Sequence, residues 1–207
     1  MIDLGVSKQE IMKGLNFKIA NIVGAIISHE HIDHCRAVDA FEKIGINVFK
    51  PYEKPEELMK THKFGGFTVT PFPLPHDETT SYGFLIRCDG ESTLYLTDFE
   101  YCPYRFIKQK VNNILIECNY QKEKVRTDIP YYEHKVKGHC SLDTCVRFVR
   151  TNANHNLGNV ILMHMGGDAD ESFCRKSVMD VVGNMTFVNV AHAGDVYLNI
   201  DDIAKYE

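Results

Sequence analysis

The sequence predicts an α/β fold in which two mixed sheets face each other and helices cover their outer faces, an αββα sandwich. Three observations lead there. Strand and helix patterns alternate at both ends of the chain, a cluster of strands interrupts them in the middle, and each motif bearing histidine or aspartate falls directly after an apolar strand. The length, 207 residues, suits one core and one domain spanning residues 1–207.

Each element has its own signal. Ser7-Lys8-Gln9-Glu10 has the form of a capping box and predicts a helix running to about Leu15. Asn21 to Ile27 reads as a strand and His29 to His34 as a loop at its end. Cys35 to Ile44 reads as a helix stopped by Gly45, and Ile46 to Phe49 as the next strand. Gly66 to Phe72, Tyr82 to Cys88 and Ser92 to Thr97 are strands, with Asp89-Gly90 as a hairpin turn between the last two. Arg105 to Lys110 is a helical piece, Asn113 to Cys118 a strand, and Gln121 to Lys137 a charged stretch. Ser141 is placed to cap a helix reaching Thr151. Val160 to Met163 follows as a strand, Glu171 to Val182 as a helix, and Thr186 to Val190 and Val196 to Ile200 as the final strands.

Composition excludes several classes. A formal charge of −5 gives no general attraction to polyanions, so any nucleic-acid site must be a local basic patch. No apolar run approaches the roughly 18–20 residues that span a bilayer. The N-terminus has no basic region followed by an apolar stretch, so no signal peptide is visible. Seven cysteines without a CxxC pair suggest reduced thiols and a cytoplasmic protein. Cys35, Cys118 and Cys140, although next to His34, Glu117 and His139, read as small buried hydrophobes.

The strongest chemical signal is His29-Glu30-His31-Ile32-Asp33-His34. Imidazole and carboxylate are natural ligands of zinc and similar divalent ions. Residues two apart point the same way in an extended segment, as His29 and His31 would. One metal cannot easily take all four side chains from so short a loop, whereas two adjacent metals can. The further ligands such a site needs are available beside other strands: His76, Asp98 and His164.

The order HxHxDH, then His, then Asp, then His resembles the metallo-β-lactamase superfamily over nearly the whole chain. That resemblance implies a metal-dependent hydrolase with two divalent ions, zinc first and manganese or iron as alternatives. It implies that His29, His31 and His76 hold one metal, that Asp33, His34 and His164 hold the other, and that Asp98 bridges them. Aspartate at that place, where a cysteine could stand, resembles the dinuclear hydrolases and nucleases and not the antibiotic-degrading members.

Further segments narrow the branch. Pro75-His76-Asp77 followed by Tyr82-Gly83-Phe84 resembles the nuclease-like branches, including tRNase Z and the YycJ-like exonucleases. Ile114 to Tyr120 resembles the IEANY segment of the YycJ-like group, and Lys137-Gly138-His139-Cys140-Ser141-Leu142 its GHLS segment. The implied activity is phosphodiester hydrolysis on DNA or RNA, as an exonuclease. His139, just before a predicted helix, would address a phosphate oxygen. Glu117 would orient His139, and Asp33 would steer the attacking water. A thioester or lactone hydrolase on the same fold is an alternative, and so is a truncated metal-binding domain without independent activity.

One segment supports a nucleic-acid partner. Between Arg105 and Lys137 lie eight Lys/Arg (105, 108, 110, 122, 124, 126, 135, 137) against four acids, with Tyr101, Tyr104, Tyr120, Tyr131 and Tyr132 interleaved or adjacent. Such content suits a phosphate track with stacking platforms. The opening Met1-Ile2-Asp3-Leu4-Gly5 resembles a segment that follows two or three strands in the family. A shortened N-terminal sheet is therefore expected, with a homodimer or partner chain completing its edge. His62, His134, His155 and His192 read as surface or core residues.

Overall fold

Alternation of side chains along short strands builds the layers. In the computed structural model, which describes residues 1–195 except 126, 127, 129 and 131, strand β1 (Ala25–Ile26) pairs in parallel with β2 (Val48–Phe49). Ala25 and Ile27 pack against Leu4, Ala37, Val38 and Phe41 on one side. Ile26, between them, packs with Phe49, Phe64, Val69, Tyr82 and Phe84 on the other. Successive side chains thus serve two different cores, as the pleat requires.

The larger sheet has seven strands in the order β3 (His62–Phe64), β4 (Phe67–His76), β5 (Thr79–Cys88), β6 (Glu91–Leu96), β7 (Asn113–Glu117), β8 (Asn159–Met163) and β9 (Phe187–Val190). The first four run antiparallel as a meander, and β6 to β9 run parallel. The parallel part is buried on its far face under helices α5 (Leu142–Asn152) and α6 (Glu171–Val182). There Leu94, Leu96, Ile114, Ile116, Val160 and Leu162 meet Phe148, Val149, Cys174 and Val178. Helix, small sheet, large sheet and helices are stacked in that order, which is the expected αββα arrangement. Among the described residues the small sheet is wholly parallel and not mixed. It consists of β1, β2 and a bridge from Ile2 to Ile26.

Several boundaries differ from expectation. The strand expected over Asn21–Ile27 shrinks to two residues, because residues Ile19–Asn21 coil into a 3₁₀ turn and Val23 stays exposed with no neighbouring strand to pair. The helix expected over Cys35–Ile44 is two pieces, α2 (Ile32–Cys35) and α3 (Val38–Glu42), and the first reaches back to include Asp33 and His34. The break has a cause: the Ala37 N–H donates to Leu4 O at 2.9 Å and not to the carbonyl a turn earlier.

His76 does not lie in a loop; it ends the ten-residue β4. That strand tolerates Pro71, Pro73 and Pro75 because β3 pairs only as far as Val69; beyond it the outer edge meets loop donors, Met59 N at Pro71 O and Glu100 N at Pro75 O, and no strand that needs a donor. Prolines at alternate positions all present their missing donor to that edge. The helical piece expected at Arg105–Lys110 is one 3₁₀ turn, Ile107–Gln109. The charged stretch contains an unexpected helix, α4 (Tyr132–Gly138). The capping box of α1 (Lys8–Gly14) and the Ser141 cap of α5 are both formed. The strand expected at Val196–Ile200 lies outside the described residues. No helix among them is long and apolar enough to cross a membrane.

All seven cysteines are free. Cys118, Cys140, Cys145 and Cys174 are buried, whereas Cys35, Cys88 and Cys102 are partly exposed.

Candidate metal centre

Five segments converge where strands end: the turn after β1 into α2, the end of β4, and the residues following β6, β7 and β8. Tertiary hydrogen bonds hold the first of them. Leu4 N donates to His34 O at 2.7 Å, and Ser28 O accepts from Tyr82 N at 3.0 Å. Gly5 allows the close approach: a Cβ there would stand 1.5 Å from Asp33 O.

These segments bring together all seven residues expected as ligands. His29, His31 and His76 place one ring nitrogen each within 4.8 Å of one another, and so do the ligand atoms of Asp33, His34 and His164. His29 Nε2 and His31 Nδ1 are 2.9 Å apart, and His76 Nε2 is 3.3 Å from His31 Nδ1. Asp98 lies between the two groups. Its Oδ2 is 3.8 Å from His29 Nε2 and 3.9 Å from His76 Nε2. Its Oδ1 is 3.5 Å from His34 Nε2 and 3.2 Å from His164 Nδ1. Ligands about 2.0–2.1 Å from a tetrahedral zinc stand roughly 3.4 Å apart, so these spacings suit a donor set for cations. The nitrogen and carboxylate donors fit two divalent ions, with one Asp98 oxygen facing each group.

Three of the five candidate histidines are aimed by their other ring nitrogen. His29 Nδ1 is 3.0 Å from Ser28 Oγ, His76 Nδ1 hydrogen-bonds to Gly138 O, and His34 Nδ1 is 2.9 Å from Asp3 Oδ2. The Asp3 carboxylate also accepts from Ser28 N at 2.7 Å, Ser28 Oγ at 2.9 Å and Tyr95 OH at 2.9 Å. Such outer partners fix tautomer and ring direction. Sequence reading passed over Asp3, Ser28 and Tyr95. Asp3 was noticed only as part of a resembling segment, and nothing in the local pattern ties it to His34, 31 residues away.

Burial and charge pull the histidines apart. Burial, helped by the charge of His34, drives the His29 pKa down to about 3. Burial works the same way on His34, but hydrogen bonds and charge from Asp3 and Asp98 outweigh it and lift that pKa to about 10. Asp98 is also desolvated, yet the hydrogen bond from His34 and the charge of His164 hold its carboxyl far below the usual carboxylate range. His164 is raised against its own burial by Glu117 and Asp98. The side chains are thus poised to carry compensating charge.

Glu117, fully buried, ties the far side together. Its Oε1 lies 2.7 Å from His139 Nδ1 and 2.8 Å from His164 Nδ1. Its Oε2 accepts from Phe99 N and Cys140 N, both at 3.1 Å. The ring of His139 stands 5.4 Å from that of His76, with Nε2 left as its unbonded nitrogen. His134, read from sequence as an ordinary surface or core residue, is brought to the same rim. Its Nδ1 is 2.8 Å from Asp77 Oδ2 and its ring stands perpendicular to His139 at 5.5 Å. The signal was hidden because the helix that carries it, α4, was itself missed. His62, His155 and His192 stay outside the cluster.

The basic track is altered. Lys122, Lys124, Lys135 and Lys137 are paired with Asp143, Asp170, Asp168 and Glu133. Tyr120 is 4% exposed and cannot serve as an open stacking surface. Arg126 and Tyr131 lie outside the described residues.

Comparison with known proteins decides the architecture. Residues 1–96 match the metallo-beta-lactamase superfamily. YhfI from Bacillus subtilis, a metallo-beta-lactamase fold protein, superposes with a TM-score of 0.69 over 95% of this chain and 85% of its own, at 19% identity. This chain has a metallo-β-lactamase fold. A diphosphatase of the PhnP family shares this metallo-β-lactamase fold with a TM-score of 0.59 and 16% identity, over 92% of this chain and 76% of its own. In sequence, the exodeoxyribonuclease WalJ of Streptococcus pneumoniae is 24% identical across 97% of this chain and 83% of that protein. Enzymes named among the similar proteins include this exodeoxyribonuclease, this diphosphatase and the short form of human tRNase Z.

Proposed function

We propose that this chain is a metal-dependent phosphodiesterase acting on nucleic acid, as an exonuclease, and that Asp98 bridges two divalent cations. One observation carries the reading: the two oxygens of a single buried carboxylate face two separate histidine groups. His29, His31 and His76 would hold one cation, and Asp33, His34 and His164 the other. Zinc suits nitrogen-rich ligation. When bound, such a pair supplies Lewis-acid activation of a water and of the phosphoryl oxygens.

The protein's own groups would do the rest. Asp33, whose side chain is 66% exposed, would accept a hydrogen bond from the attacking water and turn its lone pair toward phosphorus. Glu117 accepts the Nδ1 hydrogen of His139 and holds the ring so that Nε2 faces the leaving side. From Nε2 an imidazolium would pass its proton to the departing oxygen. His29, His76 and Asp98 are buried, so that side of the site would be shielded from bulk water, while Asp33 lies open to solvent. The sequence similarity to WalJ and the diphosphatase neighbour support phosphodiester chemistry over thioester or lactone cleavage.

The test is a substrate panel on metal-loaded protein: bis-p-nitrophenyl phosphate and end-labelled DNA against S-lactoylglutathione and a homoserine lactone. Turnover of the first two alone is expected. Asp98→Ala should abolish both that turnover and the metal stoichiometry read by elemental analysis. Preferred turnover of the thioester or lactone would overturn the reading.

A further inference from the structure

We propose that the groove between the 101–105 loop and the outer face of α5 is a subsite for a nucleotide flanking the scissile phosphate, with Arg105 and Arg147 taking its phosphate and Tyr101 stacking on its base. The inference rests on the phosphodiesterase reading and deepens it. The groove has a volume of about 300 Å³ and is lined by Tyr101, Tyr104, Arg105, Thr144, Arg147 and Thr151, among others. That volume is in the range of small-molecule sites.

Charge is the first argument. The lysines of the Gln121–Lys137 stretch that the structure describes each face a carboxylate. Arg105 and Arg147 form no ion pair among the described residues, and both are exposed. Two unneutralised guanidiniums in one groove of an acidic protein favour an anion, and a planar guanidinium suits phosphate. Tyr101 is 48% exposed in the same groove and, among the described residues, no ring stacks on its aromatic face. Cation next to free aromatic is the pairing that binds a single strand through backbone and base together.

Position is the second. Both walls start at the metal centre and are pinned by one residue. Glu117 Oε2 accepts from Phe99 N, next to Asp98, and from Cys140 N, next to His139. From the first point the chain needs only three residues from Asp98 to reach Tyr101, at most about 11 Å. From the second, Ser141 begins α5, its Oγ 3.1 Å from Thr144 Oγ1. Thr144, Arg147 and Thr151 then follow on one stripe of the helix. The far end is fastened too: Asn152 Oδ1 accepts from Phe106 N at 2.6 Å, and its Nδ2 donates to Phe148 O at 2.9 Å. Both walls of the groove are therefore fixed, and their near ends lie within a few residues of Asp98 and His139.

The experiment compares wild type, Arg105→Glu/Arg147→Glu, Arg147→Gln, Tyr101→Ala and Lys63→Glu. It measures anisotropy of a fluorescein-labelled single-stranded oligonucleotide, in DNA and RNA forms, and turnover of end-labelled DNA and bis-p-nitrophenyl phosphate. The double variant should weaken oligonucleotide binding about ten-fold or more and flatten its salt dependence by the loss of about two phosphate contacts. Arg147→Gln and Tyr101→Ala should each raise KM for DNA. All of them should leave bis-p-nitrophenyl phosphate hydrolysis unchanged, because that substrate has no flanking nucleotide. Lys63→Glu, an exposed lysine on β3 away from the groove, should affect neither. Oligonucleotide binding that survives the double variant, or equal loss on both substrates, would sink the subsite. If wild type hydrolyses the small diester but binds no oligonucleotide, the subsite fails and the phosphodiesterase reading stands. If binding depends on the arginines while no diester is hydrolysed, the groove binds nucleic acid but flanks no scissile phosphate, and the subsite falls together with the enzymatic reading.

Discussion

His139 and Asp98 sit in the same cluster but should fail in different ways when removed. Asp98 faces both histidine groups, whereas His139 touches Glu117 and no member of the first triad by hydrogen bond. His139→Ala is expected to keep the full metal content and to lower kcat by about 10²-fold or more, the usual contribution of a positioned acid. Loss should be smaller for a substrate with a p-nitrophenolate leaving group, which needs little protonation. A variant that loses metal and rate together would instead make His139 a ligand. At the same scale, the metal-free protein should show a two-sided pH profile. The folded His29 pKa, about 3, lies below its ordinary 6.5, so its contribution is complete above pH 6.5 and is lost as pH falls toward 3. The folded His34 pKa, about 10, lies above 6.5, so its contribution is complete below pH 6.5 and is lost as pH rises toward 10. Urea midpoints of chelated protein should therefore peak near pH 6.5 and decline on both sides. In His34→Gln the alkaline decline should shrink, leaving the part that His164, also raised, contributes.

Elements with a strong local cause were legible from sequence. The capping box at Ser7, the Ser141 cap, the Asp89-Gly90 turn with φ of 50° and 85°, and α6 at Glu171–Val182 all carry their signals within a few residues. The elements that were misread depend on distant partners. Nothing near Cys35 announces that Leu4 O will take the Ala37 N–H and split the helix. Nothing near Pro75 announces that β3 stops at Val69 and leaves β4 an edge where proline is tolerated. The candidate ligands are legible in the sequence because each group lies at or after the end of an apolar strand, but their orienting partners are not. Asp3 and Tyr95 reach His34 or its neighbours only through tertiary contact. The Gly5 approach gives an element-scale prediction. Gly5→Ala would push the N-terminal segment off the Asp33 carbonyl, displacing α2 with its two candidate ligands, Asp33 and His34. Metal content measured after dialysis should drop although residue 5 holds no ligand atom. Unchanged stoichiometry would mean that the segment can retreat without moving α2.

At the scale of the whole molecule, the cations would lie where the two sheets and the loops between them meet, so they should hold the layers together as well as react. Anything that binds the folded form alone adds stability by mass action. The layered class was visible from the order of strands and helices. The inequality of the two sheets and the pairing of the lysines with distant carboxylates were not, because both are settled by which surfaces meet. The four buried cysteines have a consequence of their own. Cys118 and Cys140 are neighbours in sequence of Glu117 and His139, and Cys145 and Cys174 lie behind them in the helical layer. They can meet a disulfide reagent in solution only when that wall breathes. Titration with Ellman's reagent should thus give a prompt phase of three sulfhydryls and a slow phase of four, and chelation should quicken only the second. The slow phase would then act as a stopwatch, timing how often the back of the reaction chamber swings open and how firmly its cations keep it shut.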